Sequence, residues 1–310
     1  RTNNGGVYVD DSVIFEAFEL ETLQNKNFVN WEDLVLENAV LKSHSLSISG
    51  GSESTKVFTS INYFNQDGLI PGSAFERGTF RANLDQKIND KLSFQANINF
   101  QTSTQDRESN SIDFINISPL AKPFDEDGNL IREPLGPNTT RINPLWNIRE
   151  STNEIKTRLT DINLVGNYQI TSELSYKLNT FLRNRNSDQG IYRSSLHSSG
   201  DGDIMGLATL GSQNYREFLV ENIVNYKPNI NENHDLDLLF VNALNERRTE
   251  ETEITKSGFA NDKLGFNGNA TAIVGEPSRN IQERKLVSFL GRVRYGLFNK
   301  YPTKALLLLT

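Results

Sequence analysis

From Leu92 the chain alternates apolar and polar residues for ten positions: Leu92, Phe94, Ala96, Ile98 and Phe100 interleave with Ser93, Gln95, Asn97, Asn99 and Gln101. A two-residue period sends successive side chains to opposite faces of a strand, so this segment belongs in a sheet with one apolar and one wet face. Its partner precedes it. Phe80, Ala82, Leu84 and Ile88 oppose Thr79, Arg81, Asn83 and Asp85, and Asn89-Asp90-Lys91 closes the pair as a tight hairpin. The unit recurs at Ile162–Ile170 with Leu174–Leu182, and at Phe218–Tyr226 with Leu236–Leu244 across Pro228–Asn233. A weaker copy starts at Val287, and an earlier one pairs Leu46 and Ile48 with Val57, Ile61 and Tyr63 across Gly50-Gly51.

The connections carry as much information as the strands. Short turns near Gly50, Asn89, Thr171, Pro228 and Asn299 alternate with long stretches at Asn65–Arg77, Gln105–Ile155, Ser187–Gln213 and Thr249–Glu283. The long stretches are rich in Asn, Ser, Gly, Asp and Pro, the residues of loops. A meander with short turns at one end and long loops at the other has the asymmetry of an outer-membrane barrel. Strand length agrees, since ten residues rise about 33 Å and a 45° tilt leaves about 23 Å of height, close to the apolar band of such barrels. Tyr168, Tyr176, Tyr226, Tyr295 and Tyr301, five of nine tyrosines, fall near the short turns, where an interfacial aromatic belt would sit.

Composition then excludes several alternatives. The longest apolar run, Ala305–Leu309, is five residues, against roughly 20 for a membrane-spanning helix. A hydrophobic content of 36% and a mean hydropathy of −0.51 are compatible with a barrel, which needs apolar residues on one face only. The net charge of −7 and pI of about 5.2 leave no electrostatic footprint for nucleic acid. There is no cysteine, which removes disulfides, thiolate metal sites and cysteine nucleophiles together. Arg1–Asp10 has no apolar core of signal-peptide type. Between Phe15 and Val40 the pattern changes: Phe28–Leu36 reads as a short helix, with Asn30 as N-cap and acids in the first turn, on the long-loop side.

Several stretches resemble the SusC/RagA family of TonB-dependent outer-membrane transporters. They are Asn30-Trp31-Glu32-Asp33-Leu34-Val35; His44–Gly51 with Phe58–Ile70, similar to that family's first recognisable hairpin; Arg77–Leu84, which continues it; and Ser288–Tyr295 with Asn299-Lys300-Tyr301. The resemblance implies an all-β fold, an antiparallel transmembrane β-barrel segment of about nine strands out of a 22-stranded plugged barrel. Residues 1–40 are then an extracellular loop segment with a short helix, and residues 41–310 a partial receptor barrel without plug domain or C-terminal strands. It further implies a place in the cell outer membrane, energy delivered by the TonB complex through a missing N-terminal region, and a SusD-like surface lipoprotein as partner. Glycans or peptides would be the cargo. One segment departs from the pattern: Pro302 just inside a strand and the non-alternating run to Leu309 fit a strand poorly, and a frameshift or truncated reading frame is the expected cause.

Chemistry is not legible. His44, His197 and His234 are scattered, and no metal-ligand spacing, nucleophile elbow or phosphate loop occurs. Asp125-Glu126-Asp127-Gly128 and Asp201-Gly202-Asp203 are the densest acidic groups and read as turns or solvated loops before weak calcium sites or catalytic carboxylates. Phe124, Trp146 and Tyr192 lie in the long loops, where a sugar ring or peptide could stack, although loop packing is the stronger expectation. No catalytic, cofactor or metal residue is assigned. The leading expectation is a non-enzymatic importer in which inward-facing Arg81, Asn83, Asp85, Gln95, Asn97 and Asn99 line the lumen. The rivals are another outer-membrane barrel, structural or adhesive, and a soluble all-β carbohydrate-binding protein, against which the loop asymmetry counts.

Overall fold

Alternation along each segment becomes alternation across one continuous sheet. The computed structural model describes residues 10–108, 116–136, 141–298 and 301–309, with the backbone alone described over 301–304 and 308–309. Its strands are β1 (Leu41–Gly51), β2 (Thr55–Asp67), β3 (Ala74–Lys87), β4 (Leu92–Asp106), β5 (Ser151–Gln169), β6 (Leu174–Arg193), β7 (Leu207–Tyr226), β8 (Asn229–Asn231), β9 (His234–Phe259), β10 (Ala270–Leu297) and β11 (Tyr301–Leu309). They form an antiparallel meander in which each strand pairs with its sequence neighbours, three-residue β8 pairing only with β9.

Because paired residues share a face, the register can be followed around the wall. Leu46 opposes Ile61, Ile61 opposes Phe80, and Phe80 opposes Phe100. The same face carries Leu164, Leu182, Val220, Leu244 and Val287 farther round. These side chains are uncovered: Leu46 is 64% exposed, Ile61 56%, Phe100 44%, Phe240 49% and Phe289 43%. Phe80 stacks on Phe100 at 6.4 Å and Phe240 on Phe289 at 6.3 Å, both across neighbouring strands. An apolar patch crossing ten strands is far beyond what a soluble monomer leaves in water. Hydrocarbon is the medium that covers it without cost, and a sheet that satisfies its own backbone is a form that survives there.

The strands are longer than the alternation shows. β6 and β7 have 20 residues each, β9 has 26 and β10 has 28. The expected long loops therefore contract to 68–73, 194–206 and 260–269, while the β4–β5 connection stays long at 107–150. The added strand is polar on both faces, as in Asn184–Asp188 of β6, so it has no two-residue signal. In β10 the ladder slips between Val274 and Ser278, a bulge that takes up Pro277.

One expectation is corrected at the C-terminal end. Tyr301–Leu309 is a strand, paired with β10 from Leu297↔Tyr301 to Phe289↔Leu309. Pro302 stands in that ladder opposite Gly296. The turn expected at Asn299 and the side chain of Tyr301 lie outside the described residues. Tyr168, Tyr176, Tyr226 and Tyr295 all lie on the apolar face near the short turns, and Tyr168 pairs directly with Tyr176.

Most of the buried residues sit at the long-loop end. Helices α1 (Asp11–Ile14), α2 (Ala17–Asn25) and α3 (Trp31–Val35) precede β1, and α4 (Pro144–Arg149) precedes β5. Asn30 caps α3 as its sequence suggests, its side chain accepting from the Glu32 N–H at 3.2 Å. Trp31, 5% exposed, packs on Ile117 and Ala121 of the β4–β5 connection.

Candidate functional site

The face opposite the apolar one is polar and densely bonded. The six residues expected there pair with one another across β3 and β4: Arg81 with Asn99, Asn83 with Asn97, and Asp85 with Gln95. The Arg81 Nε donates to Asn99 at 3.3 Å. An amide relay continues sideways, Asn97 donating to Asn163 at 3.4 Å, Asn163 to Asn179 at 2.7 Å, and Asn179 to Glu221 at 2.7 Å.

In register with Arg81 a charged row crosses the wall: Asn99, Asp161, Arg183, Glu217 and Arg247 follow, strand by strand. Arg183 grips Asp161 with two bonds, 2.7 and 3.0 Å. Glu217, 9% exposed, accepts from Arg247 at 2.8 Å, Tyr215 at 2.8 Å and Asn245 at 3.1 Å. Such a row places alternating charge across a wet surface and needs no catalytic chemistry to be useful. Sequence reading missed Asp161, Arg183, Glu217 and Arg247. The available signal was their equal distance from the shared turns, Asp161 and Arg183 flanking the turn at 170–173 symmetrically.

The connections at the long-loop end interlock into a platform. The Trp31 indole donates to the Ser118 carbonyl at 3.1 Å, and the Val29 N–H to that of Pro119 at 2.8 Å. Fully buried Asn143 donates to the carbonyls of Pro123 and Ile131 at 3.0 and 2.9 Å, while its carbonyl oxygen caps α4 through the Leu145 N–H. Asp262 ties the β9–β10 connection to the β6–β7 connection, accepting from Tyr192 at 2.6 Å and from Ser195 twice, at 2.9 and 2.7 Å. Burial pushes the Asp262 carboxyl up, but these donors outweigh it and hold it below the usual carboxylate range. Phe266 lies against the backbone of Gly190, where any Cβ would meet its ring at 2.7 Å.

This platform separates the three loop aromatics. Tyr192, 4% exposed, packs edge-on against Phe259 at 5.1 Å and is not available to a ligand. Trp146 donates to the Leu196 carbonyl at 2.9 Å and carries Arg149 over its ring at 4.5 Å. Phe124 lies between a cleft of 540 Å³ shared with Phe18, Phe28 and Leu34 and one of 600 Å³ shared with Leu130 and Leu145.

The acidic groups are turns. Asp125 accepts from the N–H groups of Asp127 and Asn129 at 3.0 and 2.7 Å, with Gly128 at φ +83°. Asp201 pairs with Arg132, joining two connections. His44 lies in β1, His234 bonds Tyr295, and His197 is buried in the β6–β7 connection, its Nδ1 accepting from the Ser199 N–H at 3.0 Å. Burial, with Arg193 adding to it, lowers the His197 pKa to about 4. Among the described residues no group of three or more His, Asp or Glu side chains could hold a metal.

No family model matches the chain. It is 30% identical over 290 residues to TonB-dependent receptor P26 of Formosa agariphila, covering 88% of this chain and 28% of that protein. It is 26% identical to TonB-dependent receptor P3 of the same bacterium, covering 92% of this chain and 30% of that one. The chain thus spans less than a third of these relatives. Among solved structures it superposes on the RagAB peptide transporter with a TM-score of 0.73 at 22% identity, over 87% of this chain and 32% of that one. The same importer in its closed-closed state gives 0.71 at 21% identity, over 91% of this chain and 33% of that one. The sheet with its apolar outer face and its polar, charged inner face agrees with these likenesses: the chain is similar to part of TonB-dependent receptors and has the fold of a segment of an antiparallel transmembrane β-barrel.

Proposed function

We propose that this chain forms part of the wall and outer loops of an active importer in the bacterial outer membrane. The observation that carries the reading is the register itself. One unbroken sheet presents hydrocarbon-compatible side chains on one side and a charged, hydrogen-bonded surface on the other. Residues 1–40 serve as an extracellular segment seated on the loops, and residues 41–310 as barrel. Arg81, Asn83, Asp85, Gln95, Asn97 and Asn99 line the passage, and the cargo is a glycan or peptide taken up with energy from TonB. A SusD-like lipoprotein closes over the platform. The role is mechanical and electrostatic, not catalytic. Phe124, open to clefts on both sides, is the loop residue placed best to meet cargo.

The test is uptake of labelled oligosaccharides and peptides by the source bacterium, with the receptor gene intact or deleted and TonB active or inactivated. Deletion and TonB inactivation are expected to abolish uptake of the same cargo. Uptake that persists without TonB would mark a passive or structural barrel and refute the importer reading. Recovery of the native protein from the aqueous rather than the membrane fraction would favour a soluble carbohydrate-binding protein.

A further inference from the structure

Four inward arginines of β6, β9 and β10 are tied to the wall itself. Arg183 holds Asp161, Arg247 holds Glu217, and Arg292 and Arg294 both reach Asp237. Arg77 and Arg81 of β3 share that wet face, yet neither has a carboxylate partner among the described residues. Exposed Arg81 gives its Nε–H to Asn99 at 3.3 Å. Arg77 lies over the Phe64 ring, its Cζ 5.3 Å from the centroid, and Phe75 tilts against Phe64 at 6.0 Å. The Arg77 Nε is closed to solvent without an acceptor, so the outer edge of its fork, the two Nη groups, is what a ligand meets. Nothing nearby neutralises the pair. Of the acids in β1–β4, Asp67, Glu76 and Asp106 fall on the apolar face, and inward Asp85 stands opposite Lys56, four residues beyond Arg81. Thr79 lies between the two arginines, with Gln101 beside it and Ser103 beside Arg77 on β4. Arg77 is ten residues from the short-turn end of β3, about 23 Å of height at a 45° tilt, so it stands at the outer mouth of the apolar band.

We propose that Arg77 and Arg81 select an acidic oligosaccharide as cargo. Arg77 meets one carboxylate or sulfate ester at the mouth, and Arg81, about 13 Å deeper along the strand, meets the next. A guanidinium edge pairs with either oxyanion through two parallel bonds. Phe75 offers a ring to the C–H face of a sugar, the usual pairing of an apolar wall with a few placed polar groups. The hydroxyls and amides of Thr79, Gln101 and Ser103 both donate and accept, as sugar hydroxyls do, which favours a glycan over a peptide. The proposal rests on the importer reading, whose cargo it narrows, and on the inward assignment of this face.

The experiment is calorimetric titration of the full-length receptor in detergent, which needs no TonB. The probes are a galacturonate hexamer and its uncharged methyl ester, a sulfated carrageenan hexamer and its desulfated counterpart, and hexaglutamate. The native receptor is expected to bind one of the acidic sugars about a hundredfold more tightly than its uncharged partner, and which one tells carboxylate from sulfate. R77Q/R81Q is expected to remove that advantage, about tenfold for each arginine, the equivalent of about 1.4 kcal/mol each. R77K/R81K keeps the charge without the fork and is expected to lose less than tenfold. R158Q, on the opposite face of β5, is expected to change nothing. Equal binding of the charged and uncharged sugars by the native receptor overturns the proposal without recourse to any variant. Undiminished binding by R77Q/R81Q also overturns it, placing the partners of these arginines elsewhere in the receptor. Hexaglutamate bound as tightly as the better sugar overturns it in favour of an acidic peptide. Uptake is measured separately, so failure here leaves the importer reading standing, and failure of that reading shows in uptake.

Discussion

Truncating Trp31 to alanine tests how residues 10–40 are held on the loops. The indole is 5% exposed, packs on Ile117 and Ala121, and donates to the Ser118 carbonyl at 3.1 Å. Loss of a buried tryptophan side chain costs about 3–5 kcal/mol. Trp31→Phe keeps most of the ring and gives up the hydrogen bond, about 1 kcal/mol. Neither change touches the ladder, so the loss is local and hydrogen exchange on the full-length receptor reads it. The reporters are the Val29 amide, bonded to the Pro119 carbonyl at 2.8 Å, and the Ala121 amide, bonded to that of Ser118 at 3.1 Å. At about 1.4 kcal/mol per tenfold, W31A should speed their exchange roughly a hundred- to several-thousand-fold, or to the unprotected rate if the platform opens more easily. W31F should speed it about fivefold, and β6 amides should stay unchanged. If W31A moves both reporters by less than about threefold, the segment is not anchored through the indole and the packing argument fails.

Replacing Glu217 by glutamine removes the charge that Arg247, Tyr215 and Asn245 converge on; a melt of the purified receptor should show a loss of about 1.5–3 kcal/mol. Phe240→Arg faces hydrocarbon and should destabilise folding into lipid vesicles by about 2–4 kcal/mol, whereas Asn97→Arg on the wet face should cost far less; equal costs would contradict the face assignment. His197 binds a proton less tightly in the fold, with a pKa near 4 against the ordinary 6.5. Its contribution is therefore complete above about pH 6.5, falls as pH drops toward 4, and changes no further below that. Limited proteolysis at 194–206 across this range should show increasing cleavage on acidification, and H197N should flatten the trend.

How far sequence sufficed depends on where each residue's surroundings differ between faces. Leu92–Phe100 was readable because one face meets lipid and the other water, and the same contrast gave the wet face of β3 and β4. Above the band both faces are wet, so Asn184–Asp188 carries no period and the strands were read too short. Asn30 was legible as a cap because capping is local. Asn143 and Asp262 were not, since their partners lie 12–20 and 67–70 residues away. Tyr192 was expected to pack within the loops before it would meet a ligand, and Phe259 and Asp262 enclose it. Pro302 looked wrong for a strand, yet the ladder with β10 runs through it, opposite Gly296.

The 26 residues of β9 have a consequence beyond the bilayer. Tilted at 45°, they reach about 60 Å, of which hydrocarbon takes about 25 Å. Roughly 35 Å of this strand therefore stands beyond the band, wet on both faces. Such an extension can flex without stretching the membrane. Whatever alights on its tip meets polypeptide at a distance from the lipid surface.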